Sequence, residues 1–225
     1  MKTTTRQEYK YLISYVDYFK VIDSLKFILK HDKHGVEDSY PVYSVYLDDL
    51  VFNGASDKAF GNELHKKYRI RHYNDSNKRK LKLKLKSDHL TKKTSTDIDE
   101  ELYNAILERN IDVLEKHFDD DLIRKFTLDF LKNYLSPVCI IKYDREAYKD
   151  ESDNLRITFD HSLYVSRFGH DFDDMDLKLI RDSMLILEIK YEHYLPRHIK
   201  ELFNKVNLNQ IAYSKYFMGY NSMEF

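Results

Sequence analysis

Apolar and polar positions alternate with period two over some stretches of this chain and recur at helical spacing over others, and the changes of period divide it. Residues 5–13 alternate, with Thr5, Gln7, Tyr9 and Tyr11 on one face and Arg6, Glu8 and Lys10 on the other, as a strand requires. Residues 15–30 place Val16, Phe19, Ile22, Leu25 and Ile28 or Leu29 at helical spacing. Pro41 opens a strand over 42–47, and the polar segment 50–63, with Gly54 and Gly61, reads as a loop or short helix. Two strands are predicted at about 66–74 and 79–87, joined by the turn-rich Asn74-Asp75-Ser76-Asn77. The period changes near Asp97, where Asp97 and Glu100 resemble an N-cap with an acidic first turn. Helical patterns follow over about 98–108 and 119–133 until Pro137. Strands return at about 138–148, 154–160, 162–168 and 184–191, and the tail after Pro196 (Ile199, Leu202, Phe203, Val206) is again helical. There is no internal repeat. The pattern predicts a single α+β domain over residues 1–225, with a helical insertion at about 97–135. Its antiparallel strands, each with one charged face, suggest a β-barrel or curved sheet that shares a polar interior.

The charged faces carry the chemistry. Lys67-Tyr68-Arg69-Ile70-Arg71 and Lys80-Leu81-Lys82-Leu83-Lys84-Leu85-Lys86 each put cations on every second residue. Two such strands side by side would line a surface with about six positive charges. Same-face neighbours about 6.8 Å apart repel by roughly 0.6 kcal/mol in bulk water but about 2.4 kcal/mol at an effective dielectric of 20. On an open face that cost is slight, and a solvated sheet surface is the plain alternative. In an enclosed site it requires anions, carboxylates or lysines of lowered pKa. Other predicted strands repeat the theme, with Tyr143, Arg145 and Ala147 on one face, Arg156, Thr158 and Asp160 on another, and Glu188 beside Lys190. The carboxylates Glu8, Asp160 and Glu188 fit either ion pairs that fix the cations or ligands of a divalent metal shared with phosphate oxygens.

Composition narrows the partner. Net charge is only -1, but charge is segregated: residues 65–93 hold twelve Lys/Arg against Asp75 and Asp88, and residues 97–121 hold ten Asp/Glu against Arg109 and Lys116. A local anion site fits this better than a general nucleic-acid coat. Cys139 is the single cysteine and lies in an apolar run, which excludes a disulfide framework and a multi-cysteine zinc site. The start of the chain is polar and no stretch reaches the length of a membrane span, so a soluble cytoplasmic protein is expected. Neither a Gly-rich phosphate loop nor a nucleophile elbow is present.

Seven blocks in order resemble the vacuolar transporter chaperone (VTC) domain, the polyphosphate polymerase branch of the triphosphate tunnel (CYTH-like) superfamily. They are Arg6-Gln7-Glu8-Tyr9-Lys10-Tyr11, Tyr43-Ser44-Val45-Tyr46-Leu47-Asp48, Lys67-Tyr68-Arg69-Ile70-Arg71-His72-Tyr73, Tyr143-Asp144-Arg145-Glu146-Ala147-Tyr148, Leu155-Arg156-Ile157-Thr158-Phe159-Asp160, Leu187-Glu188-Ile189-Lys190-Tyr191 and Ser214-Lys215-Tyr216. The resemblance implies an antiparallel barrel forming a basic tunnel, in which the terminal phosphate of ATP is transferred to a growing inorganic polyphosphate chain with the help of Mn²⁺ or Mg²⁺. By the same resemblance Lys67, Arg69, Arg71, Arg145, Arg156 and Lys190 would act on the transferred phosphate. Lys10, Lys84, Lys86, Lys93 (or Lys92), Tyr143, Ser214 and Lys215 would bind substrate, and Glu188 with Glu8 would hold the metal. Arg6 stands where the wider superfamily carries a glutamate, which favours the polymerase branch. Lys82 stands where the family often has another glutamate, which leaves two further readings: a polyphosphate- or nucleotide-binding module without catalysis, or a tripolyphosphatase. Neither a nucleic-acid partner nor a membrane span is expected.

Overall fold

The computed structural model describes residues 7–32, 39–56, 64–73, 78–87, 90–150, 154–169, 178–181, 183–211 and 214–223. Arg6, Gly61 and the 74–77 turn lie outside them. In chain order the elements are β1 (Gln7–Ser14), α1 (Tyr15–Ile28), β2 (Lys30–His31), β3 (Tyr40–Asp48), α2 (Asn53–Ser56), β4 (Leu64–Tyr73), β5 (Arg79–Ser87) and β6 (Leu90–Ile98). There follow α3 (Glu100–Glu108), α4 (Ile111–Glu115), α5 (Asp121–Asn133), β7 (Ser136–Asp150), β8 (Leu155–Arg167), β9 (Lys178–Arg181), β10 (Met184–Tyr191), α6 (Arg197–Phe203), β11 (Asn209–Gln210) and α7 (Lys215–Ser222). The class is α+β on an antiparallel sheet, as the alternation predicts.

The chain divides into two compact units, each drawn from three segments: Met1–Pro41, Tyr143–Leu163 and Arg181–Tyr213, and then Val42–Lys142, Tyr164–Ile180 and Ser214–Phe225. In the first, the strand order is β11-β1-β10-β8-β7. Residues of one parity (Ile13, Leu155, Ile157, Phe159, Leu185, Leu187, Ile189) bury against α1 and α6 through Val21, Ile22, Leu25, Ile199, Leu202 and Phe203. In the second, the order is β7-β3-β4-β5-β6. Val45, Leu47, Tyr68, Ile70, Leu81 and Leu83 pack there under the inserted helices, against Leu102, Ile106, Phe126 and Phe130. In each unit the described strands form an open path without a closing pairing. One sheet face is therefore used up by helices, and the other is left to the charged residues.

Several predicted boundaries move. The residue capping α3 is Asp99, whose side chain accepts from Leu102 N, and not Asp97, which pairs with Lys80 instead. The strands predicted at 154–160 and 162–168 are one strand, β8, in which Ser162 takes a positive φ of 51°. That single left-handed residue shifts the alternation without ending the pairing. The apolar stripe predicted for α1 holds in its second half, where Ile22, Leu25 and Leu29 are buried with Val21, whereas Val16 and Phe19 are exposed.

Candidate polyanion site

Period two fixes which side chains leave the core, and register fixes their neighbours. In the second unit β4 and β5 pair so that Lys67 faces Lys84, Arg69 faces Lys82 and Arg71 faces Lys80. β6 adds Lys93 opposite Lys84, with Ser95 opposite Lys82 and Asp97 opposite Lys80. Of Lys92 and Lys93, it is Lys93 that lies on this face, because Lys92 pairs with Leu85 and belongs to the other. β3 contributes Ser44 opposite Arg71 and Tyr46 opposite Arg69. The result is a lattice in which three successive cross-strand pairs are cation against cation. Opposed like charges destabilise a sheet; Asp97 offsets part of this at Lys80, 2.8 Å away, and a bound anion would offset more.

The lattice is partly ordered by neutral partners. Arg71 is buried and donates from Nε to Ser44 Oγ at 3.1 Å. Arg69 Nη1 donates to the Tyr46 hydroxyl at 3.3 Å. The Tyr46 hydroxyl is buried, which by itself would raise its pKa. Arg69, then Arg71 and Lys215, outweigh that and hold it below the usual phenol value. Lys82 shows the complementary effect: burial first, then Arg71, Arg69 and Lys80, push its ammonium down to about 8, with Tyr73 partly offsetting them. Lys86 extends the same face of β5.

Lys215 and Ser214 arrive on the last helix of the second unit. The Ser214 side chain accepts from Phe217 N and so caps α7. The following turn carries Tyr216, whose ring stacks on Tyr46 at 4.7 Å and 5°. Its hydroxyl donates to Asp48 Oδ2 at 2.7 Å. Asp48 also accepts from the backbone N–H groups of Asp49, Gly54 and Ala55 at 2.9, 2.8 and 2.9 Å. α7 is thus stapled to β3, and Lys215 is held within the field of Tyr46.

The first unit gathers the carboxylates. β1 and β10 pair Glu8 with Lys190 and Lys10 with Glu188, and β10 and β8 pair Glu188 with Thr158 and Lys190 with Arg156. Lys190 Nζ donates to Glu188 Oε2 at 2.6 Å; Lys10 Nζ lies 3.4 Å from Glu8 and 3.8 Å from Glu188; Arg145 Nη2 is 3.8 Å from Glu188. Burial opposes ionisation of Glu188, but Lys190, Lys10 and Arg145 outweigh it and hold the carboxyl well below its ordinary range. Burial also pushes Lys190 down to about 8, against the pull of Glu188 and Glu8. Asp160 grips Arg145 in a forked pair, Nε–Oδ1 2.6 Å and Nη2–Oδ2 2.7 Å, and Arg145 lies over the Tyr143 ring at 5.2 Å. Asp160 is therefore an orienting counter-ion. Arg156 is anchored by Asp32 Oδ2 at 2.7 Å and by the Tyr40 hydroxyl at 3.2 Å.

The residues of the first unit also fit an oxygen-seeking divalent ion. Glu188 and Glu8 lie close enough to perturb one another's ionisation. The cross-strand neighbour Thr158 has a fully buried hydroxyl oxygen with no hydrogen-bond partner. Two carboxylates and one hydroxyl leave most of an octahedral shell to other oxygens, as Mg²⁺ and Mn²⁺ sites on phosphate substrates do. Among the described residues no cluster of three or more His, Cys, Asp or Glu could hold a metal unaided.

Tyr40, Ser44, Tyr46, Thr158, Lys82 and Asp32 were not among the predicted site residues. Thr158 and Lys82 share parity with the predicted Arg156 and Lys84 on their own strands, which is a signal the sequence does contain, whereas β3, which carries Tyr40, Ser44 and Tyr46, held no predicted site residue. Asp32 follows β2 outside any alternating run, and only the folded chain brings it to Arg156.

The sheet and its strand order define a fold that several solved structures share. A candidate adenylyl cyclase from Hippeastrum with a dominant triphosphatase activity is similar over 97% of this chain and 96% of its own, at 15% identity and a TM-score of 0.58. The PH1819 protein of Pyrococcus horikoshii matches over 96% of both chains at 14% identity and a TM-score of 0.51. A candidate adenylate cyclase from Vibrio parahaemolyticus matches over 96% of this chain and 98% of its own, at 11% identity and a TM-score of 0.51. No curated protein matches by sequence. Residues 5–224 match the model of the VTC domain, and the chain belongs to that family. No described helix is long and apolar enough to cross a membrane.

Proposed function

We propose that this chain is a polyphosphate polymerase that transfers the terminal phosphate of ATP to a growing inorganic polyphosphate chain. The observation that carries the reading is the run of cross-strand cation pairs Lys67/Lys84, Arg69/Lys82 and Arg71/Lys80, which a dense polyanion would neutralise. Membership of the VTC family supports it. In the transfer, a terminal oxygen of the acceptor polyphosphate attacks the γ-phosphorus of ATP, the bond from that phosphorus to the β,γ-bridging oxygen breaks, and ADP leaves. No protein nucleophile is needed; positioning and charge neutralisation supply the catalysis. On this reading Arg69, Arg71 and Arg156 grip phosphate oxygens through their guanidinium N–H groups, Arg145, whose Nε–Nη2 fork is held by Asp160, contributes positive charge, and Lys10, Lys67, Lys84, Lys86, Lys93, Lys190 and Lys215 act as point charges. Glu188 and Glu8, with Thr158 beside them, would hold Mn²⁺ or Mg²⁺, which would neutralise charge on the phosphates.

The test is incubation with ATP and Mn²⁺, with polyphosphate resolved by gel staining. Long-chain product that disappears on chelation and in Glu188→Ala and Arg69→Ala variants supports the reading. Absence of product, with both variants binding nucleotide as well as wild type does, overturns it. Lys82 favours a second reading, since a lysine that adds to the cation count strengthens binding without assisting turnover. Tight, salt-sensitive polyphosphate binding without ATP consumption would select that module. Phosphate release without chain growth would mark hydrolysis, the activity named for the Hippeastrum protein.

A further inference from the structure

The outward face of α1 carries apolar side chains that the core of the first unit does not use. Val16 and Phe19 are each 67% exposed and Phe27 is 93% exposed. At 3.6 residues per turn, Val16, Lys20, Asp23 and Phe27 form one outward stripe with Phe19 along its edge. Isolated exposed apolar residues are ordinary. Three on one helix face, one of them almost bare, make a patch that a second surface would cover.

The charges within the stripe identify that surface. Its spacing is four, three, four: Val16 to Lys20, Lys20 to Asp23, Asp23 to Phe27. Read backwards, it again runs apolar, charged, charged, apolar, with the signs exchanged. A second α1 laid antiparallel, with its two-fold axis passing between residues 21 and 22, sets Val16 against Phe27 of the other copy and Lys20 against its Asp23. The reciprocal contacts follow by symmetry, as an isologous interface requires. A parallel alignment in register would oppose Lys20 to Lys20 and Asp23 to Asp23. Lys20 already holds Asp17 of its own helix at 2.8 Å, yet its side chain stays 50% exposed, and an ammonium has three donors to share.

We propose that α1 is a dimerisation helix, through which two copies of this chain associate antiparallel by the Val16–Lys20–Asp23–Phe27 stripe. A fully buried phenylalanine contributes about 150–250 Å². Two of them with a valine fall short of the ~800 Å² per partner of a standard interface, so the dimer is weak and concentration-dependent. None of the residues assigned above to phosphate or metal takes part.

Sedimentation equilibrium of the full chain over about 1–200 μM tests this. The expected result is a monomer–dimer equilibrium. Phe27→Glu should leave only monomer, and at this exposed position the variant should fold. Lys20→Glu and Asp23→Lys should each raise the dissociation constant about tenfold, since a reversal replaces two attractions by two repulsions. The double variant Lys20→Glu/Asp23→Lys should return to within about threefold of wild type. Three results would each overturn the proposal: a strictly monomeric wild type, a dimer indifferent to Phe27→Glu, or a double variant weaker than both single ones. Monomeric protein that binds phospholipid vesicles through α1 would also refute it.

Discussion

Lys82 is the residue at which the cation lattice is most finely poised. Its neighbours on every side are Arg69 across the ladder, Arg71, Lys80 and Tyr73, with Ser95 opposite on β6. With a free-state pKa pushed down to about 8, the lysine is charged below that value and loses its proton as pH rises through it. Loss of that proton should lower affinity for tripolyphosphate between pH 7 and about 9, alongside any loss from Lys190, which burial also pushes down to about 8. A Lys82→Arg variant, charged throughout, should remove the Lys82 part of that fall, and isothermal titration at several pH values would show whether it does. A second expectation concerns Tyr46. Replacing it by Phe removes the acceptor of Arg69 and should weaken anion affinity by about three- to tenfold, the net worth of an ordinary hydrogen bond, as its 3.3 Å length suits, while the fold persists. In the sequence, parity alone marks Lys82 as a member of the charged face. It does not show how deeply Lys82 or Tyr46 is buried or which cations surround each, and those two facts set their pKa shifts.

At the level of elements, alternation locates β4, β5 and β10 well, because the middle of each keeps one apolar or aromatic face. β6 (Leu90–Ile98) escapes it: Lys92, Lys93, Thr94, Ser95 and Thr96 are polar on both faces, and this outermost strand of the second unit buries little. α7 escapes for a different reason. Only its Tyr216 and Gly219 are buried, and its anchor is the hydroxyl-to-Asp48 bond. That anchor can be measured. Tyr216→Phe should cost about 1–3 kcal/mol in urea denaturation, since Asp48 loses a partner in a buried place. Gly54→Ala should cost a similar amount, because a Cβ there would stand 2.9 Å from Asp48 Oδ1. The helix ends offer a stabilising change. Arg109 and Tyr134 both close helices in the left-handed region, at φ 59° and 51°, where glycine is at ease. Tyr134 is 62% exposed, and Tyr134→Gly should stabilise by about 0.5–1 kcal/mol. Arg109→Gly should not, because the arginine side chain donates to Leu135 O at 2.9 Å and lies over Phe130 at 4.5 Å.

For the whole molecule, a net charge of -1 conceals two populations of side chains. The cations gather on the sheet, while the acidic residues of 97–121 cap and coat α3, α4 and α5, as Asp99 and Asp120 do at two helix starts. Behaviour toward ions should accordingly follow the lattice and not the total. Binding to an immobilised polyanion is expected near neutral pH, with log affinity falling steeply against log salt. A charge-matched variant, in which Lys84 and Lys93 become Gln while two exposed acids of the insertion (Glu101 and Asp112) become Asn or Gln, should lose that retention at unchanged net charge. The segregation was readable in the sequence as a count. Its sidedness was not, because which acids reach the lattice depends on register, as Asp97 does through Lys80.

On the proposed reading, the opposed cations of β4 and β5 would also make the bound polyanion a partner in folding. A ligand that binds only the native state stabilises it by RT ln(1 + [L]/Kd), and relieved repulsion is one of the contributions that lower that Kd. Melting temperature should climb with micromolar tripolyphosphate and less with an equal ionic strength of chloride. When phosphate is scarce the native protein should open more often, and proteolysis of the wild-type chain should quicken while a Lys67→Gln/Lys84→Gln variant changes little. The abundance of the protein would then track the supply of the anion it handles, with no separate sensor required.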